Sequence, residues 1–151
     1  MRNLWLFLHL VGIVIWVGGM FFAQHCLRPA AAGLLEPPQR LPLLSATLGK
    51  FFDYVLLALA LLWASGLAML AAAGFKGAPI AWHLMAGIAL VMTVIFAVIR
   101  WQRYPVLEAA VAAKDWPAGA AAMNGIRRLV AINLGLGFLT IAVATIGASL
   151  K

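Results

Sequence analysis

Four long apolar runs constrain this chain more than anything else in it. They lie at about Leu4–Ala23, Tyr54–Ala73, Ile80–Ile99 and Leu129–Leu150. Each approaches the roughly 20 residues that a helix needs to cross a ~30 Å hydrocarbon core. A backbone in hydrocarbon must satisfy its own N–H and C=O groups, which leaves helices and closed barrels. Barrel strands alternate apolar and polar residues, and none of these runs does. The expected fold is therefore all-α: an integral membrane protein built as an antiparallel bundle of four transmembrane helices. The helices are expected at about 4–26, 51–73, 79–101 and 117–150, in a single domain over 1–151.

The first run is longer than the apolar core of a secretory signal, about 7–15 residues, and Arg28–Pro29 precedes the small-residue stretch Ala30–Ala32. It is expected to be retained as a helix. Between the first two runs, LRPAAAGLLEPPQRLPLLSATLGK carries four prolines and reads as a loop along the interface. Asp53, next to Lys50, reads as serving the dipole at the start of the second helix. FKGAP reads as a short turn, with Pro79 opening the third helix. Asp115, two residues before Pro117, marks the start of a fourth helix that extends past its apolar part.

Only 10% of residues are charged, 66% are hydrophobic and the mean hydropathy is +1.04, whereas soluble domains carry about a quarter charged residues. A net charge of +7 could point to nucleic acid. Yet the Lys and Arg stand at the edges of apolar runs, without the basic stripe that follows a phosphate backbone, and nucleic acid is excluded as a partner. The lipid bilayer is the expected one, and homo-oligomerisation is left open. The charge sets topology instead. Arg2, Lys76 and Lys151 make three on one side; Arg28, Arg40, Lys50, Arg100, Arg103, Lys114, Arg127 and Arg128 make eight on the other. The basic side is expected to be cytoplasmic, giving a multi-pass inner-membrane protein with both termini outside. Cys26 is the only cysteine, so the chain forms no internal disulfide and no thiolate cluster.

Two histidines lie inside the apolar runs. His9 is about five residues into the first from the outer side and His83 about three into the third, so at ~1.5 Å per residue their depths agree to within a turn. Intramembrane ionisable residues are costly and by default functional. Small residues mark helix contacts in membranes, and Gly12 and Gly87 place both histidines on protein-facing sides. The first and third helices are diagonal across such a bundle, which allows both imidazoles to hold one centre. Trp16 shares the face of His9, and Met69 and Met85 are soft ligands nearby. Ser65, Thr145 and Ser149 could hydrogen-bond the rings, either behind a metal or in its place. His25, between Gln24 and Cys26, reads as interfacial. Met20 and Met92 read mainly as packing.

The chain resembles the copper resistance protein D (CopD) family through LHLVGIVIWVGGMFF, LGKFFDYVLLALALLWASGLAML, GAPIAWHLMAGIALVM and RRLVAINLGLGFLTIAVATIG. His9, Trp16, Gly18 and Gly19 also look like the first helix of HemJ-type membrane protoporphyrinogen oxidases. Those carry Trp-Leu-His-x-Lys in the third helix, and Met85 stands here where the lysine would be. The first resemblance implies copper handling, with His9, His83, Met69 and Met85 as ligands; imidazole suits copper and thioether suits its reduced form. The second implies haem b between His9 and His83, with Trp16 beside it. A metal-free structural subunit is the third reading. No catalytic residues are assigned and enzyme activity is left open: the chain has neither a phosphate-binding glycine loop nor an intramembrane carboxylate.

Overall fold

A computed structural model describes residues 1–147, and among them every regular element is helical. Four helices are long and apolar enough to cross a membrane: α1 (Arg2–Leu34), α2 (Pro37–Ala73), α3 (Ile80–Ala112) and α4 (Trp116–Thr145). Their outward faces are apolar. Val14, Leu84, Val91, Val94 and Phe138 are all exposed, a pattern that fits surroundings of lipid rather than water.

The helices run well past the apolar segments at one end. The expected loop over 27–50 is helix apart from Leu35–Glu36, because α1 continues to Leu34 and α2 begins at Pro37. Likewise α3 continues past the expected end near 101 to Ala112. Two prolines that should have stopped these helices do not. Each follows a wide π turn, Ala23–Leu27 before Pro29 and Ile99–Arg103 before Pro105. Proline lacks an N–H and crowds the carbonyl four residues back; a π adjustment rearranges the local hydrogen bonds so that the helix passes through. Pro37 and Pro38 sit in the first turn of α2, where no N–H is needed. Asp53 therefore lies well inside α2 rather than at its start. Asp115 is a true N-cap: its side chain accepts from the Ala118 N–H at 3.1 Å. Ser149 and Lys151 lie outside the described residues.

The first half of α1 packs along α2, and α3 packs along α4. Contacts run in opposite register along the first pair. His9 meets Ser65, Gly12 faces Ala58 and Leu62, and Gly19 faces Phe51. A Cβ on Gly12 would lie 2.7 Å from Leu62 Cγ and 3.1 Å from the Ala58 carbonyl oxygen, so glycine is what lets these backbones close up. The core is centred on rings packed edge to face. Phe52 lies 5.7 Å from Phe96 and 5.2 Å from Tyr104, and Trp16 lies 6.4 Å from Phe96. Tyr104 carries its hydroxyl over Gly49 and donates to the Ser45 carbonyl at 2.9 Å, which ties α3 to α2.

Candidate functional site

His9 sits on α1 about two turns in, half-buried against α2. Its Nδ1 lies 2.9 Å from Ser65 Oγ, and the ring edge packs closely on Gly66, where an added Cβ would lie 3.3 Å from Cε1. Ser65 is fully buried and its single hydroxyl proton goes to the Leu61 carbonyl. A hydroxyl that has donated its proton can only accept. With the Ser65 proton on the Leu61 carbonyl, His9 Nδ1 is the donor of this pair.

His83 lies on α3 and is exposed, and a Cβ on Gly87 would meet nothing within 4 Å, so the protein-facing side expected for this histidine is instead an open one. Its Nε2 is 3.0 Å from the Phe75 carbonyl oxygen in the turn between α2 and α3. A carbonyl only accepts, so Nε2 carries the hydrogen donated here. The turn that presents this carbonyl depends on Gly74, whose φ of 76° is left-handed and suits glycine. Each histidine thus has an oxygen against one ring nitrogen, Ser65 Oγ at Nδ1 of His9 and the Phe75 carbonyl at Nε2 of His83, with the opposite nitrogen turned away from that bond. That is the arrangement in which outer hydrogen bonds orient ligating imidazoles.

The two rings have separate partners and do not hydrogen-bond each other. Ser65 supports His9 as the sequence suggested, whereas Thr145 donates to the Ile141 carbonyl of its own helix at 2.8 Å. Met69 lies one turn after Ser65 on α2 and Met85 two residues after His83, both half-buried. Trp16 belongs to the aromatic core, 3% exposed and edge-on to Phe96. His25 is exposed and stacks on Phe21. Among the described residues no group of three or more His, Cys, Asp or Glu is placed to hold a metal ion. Imidazole suits copper and thioether its reduced form, whereas hard divalent cations want oxygen.

Below this end a series of polar groups crosses the apolar interior. Trp63 Nε1 donates to Thr93 Oγ1 at 3.2 Å, Asn133 Nδ2 donates to the Met92 carbonyl at 3.2 Å, and Thr140 Oγ1 approaches Met92 Sδ at 4.0 Å. Asn133 is 1% exposed and its Oδ1 has no partner. An unpaired buried amide oxygen costs about 1–3 kcal/mol, so this atom is poised for a ligand or a water. Sequence reasoning passed over Asn133. Its signal was there: a single asparagine in the middle of an apolar run.

The family model described as copper resistance protein D matches residues 45–146. Comparison with curated proteins and with solved structures gave no match. The likeness to HemJ-type oxidases, and with it the haem b reading, gains no support from these comparisons.

Proposed function

The chain belongs to the copper resistance protein D family, and from that premise we propose that it is a multi-pass membrane protein that takes a cuprous ion at the end of the bundle carrying His9 and His83. The four long helices form an antiparallel bundle in the inner membrane, supported for α1 and α2 by the opposed register of their contacts. Eight basic residues against three support an orientation with the Arg-rich end in the cytoplasm and the histidines near the outer face.

The observation that carries the reading is the hydrogen bond behind each histidine. Ser65 behind His9 and the Phe75 carbonyl behind His83 hold one nitrogen of each ring, and the far nitrogen of a neutral ring can then take a metal. Met69, one turn along α2 from Ser65, would add a thioether to a soft, uncharged donor set, while Met85, two residues after His83, projects from another side of α3. Copper is cargo here rather than a resident cofactor. An ion passing inward would next meet Met92 and the unpartnered Asn133 oxygen, neutral groups that stabilise a monovalent soft cation without trapping it. Separate hydrogen bonds for the two rings favour one competing reading, a structural pair with no metal.

Cells expressing the protein separate the two. Wild type should alter copper tolerance and cell-associated copper, His9→Ala should abolish the effect, and His25→Ala should retain it. If His9→Ala at equal membrane abundance behaves as wild type, the pair is structural.

A further inference from the structure

The opposite end of the bundle holds a second constellation. Arg28 on α1, Arg40 on α2 and Arg127 on α4 are all half-buried. Arg28 is close enough to feel the like charges of both others. Two adjoining cavities open among them. One, of about 170 Å³, is lined by Arg28, Arg40 and Asn124; the other, of about 40 Å³, by Arg28, Arg127 and Gln24. No carboxylate lines either cavity.

Three guanidiniums drawn together and partly desolvated repel one another unless an anion joins them. The remaining lining is apolar, from Leu41, Leu44 and Met123 in the larger cavity. A water occupies ~30 Å³ of liquid, so the larger cavity has room for a tetrahedral phosphate of five heavy atoms. Arginine's planar fork matches phosphate oxygens two at a time, and Asn124 and Gln24 supply neutral donors beside it. Arg28 follows the first apolar run and Arg127 precedes the fourth, so the cluster sits at the edge of the apolar belt, where headgroup phosphates lie in a bilayer.

We propose that Arg28, Arg40 and Arg127 form a binding site for a phosphate-bearing anion, taken from an acidic phospholipid headgroup or from solution. The site draws α1, α2 and α4 together at the end of the molecule where their extensions meet. Basic pockets between membrane helices take acidic headgroups by the same chemistry.

Thermal unfolding of the purified full chain in neutral detergent tests the site with two probes. Phosphatidylglycerol, in mixed micelles against equal phosphatidylcholine, should raise the wild-type midpoint saturably, by roughly 5 °C at high occupancy. Inorganic phosphate, against chloride at equal ionic strength, is the second probe. A shift with phosphatidylglycerol alone assigns the anion to a lipid, and a shift with phosphate as well assigns it to a free anion. Arg28→Gln and Arg127→Gln should each lose most of the shift, while Arg103→Gln, which lines neither cavity, should keep it. Should an arginine variant not fold, the wild-type comparison of the two lipids still decides. The proposal is overturned if neither probe moves the wild-type midpoint, if phosphatidylcholine protects equally, or if Arg28→Gln shifts as wild type does.

Discussion

The two ends of the molecule are packed differently. Around the basic end lie Leu41, Leu44, Leu48, Phe52, Tyr104, Leu107, Met123 and Ile126, all buried and drawn from three helices. At the histidine end the buried residues thin out to Gly12, Ser65, Leu70 and Ala81, and residues 71–77 are exposed throughout. The dense end holds more of the buried contacts between helices, and the sparse end holds fewer. Low local packing is where binding sites and mobile segments are drawn from.

Substitutions should expose this contrast most strongly in the aromatic core. Phe52→Ala removes a ring that is 1% exposed and touches Phe96 and Tyr104 edge to face. It should cost about 3–5 kcal/mol in chemical unfolding. Trp82→Ala, at the sparse end and 37% exposed, should cost well under half as much. Equal losses would erase the distinction between the ends.

A smaller effect sharpens it within α1. Gly12→Ala presses a methyl against Leu62 and the Ala58 carbonyl, and overpacking of this kind costs about 1–3 kcal/mol. Gly18→Ala meets nothing within 4 Å and should be neutral or slightly stabilising, since alanine is the better helix former. The two variants measured side by side show whether α1 and α2 close as tightly as their contacts indicate.

A modest loss of stability should come with a large functional one. Ser65→Ala deletes the oxygen that holds His9 Nδ1. Folding should lose only about 0.5–1.5 kcal/mol, whereas copper affinity should fall by roughly 10–100-fold, as for other outer-shell partners of ligating histidines. Unfolding curves and copper titrations on the same preparation would show whether the two quantities separate; if affinity is unchanged, Ser65 is merely a core hydrogen bond.

The four long helices were legible because apolar length alone decides them, and Asp115 was legible because a cap is a local device. The helical extensions were not. Pro29 and Pro105 are stop signals in sequence, and only the π turns before them let the chain continue. The same asymmetry holds at the candidate site. Ser65 could be anticipated as a partner for His9, being a polar side chain at matching depth. The partner of His83 is a main-chain carbonyl, and no residue type announces which carbonyl a turn will present. The grouping of Arg28, Arg40 and Arg127 was hidden too, because it depends on α1 and α2 remaining helical through what reads as a loop.

The claim that His9 and His83 receive one copper ion is tested most directly by titrating the purified protein with Cu(I) against a competing chelator. The account predicts one ion per chain. Affinity should drop at least about tenfold in each of His9→Ala and His83→Ala, the loss expected of a ligand that matters by 1.4 kcal/mol or more, and should be unchanged in His25→Ala. A wild type that takes up no copper, or His9 and His83 variants that bind as wild type does, would contradict it.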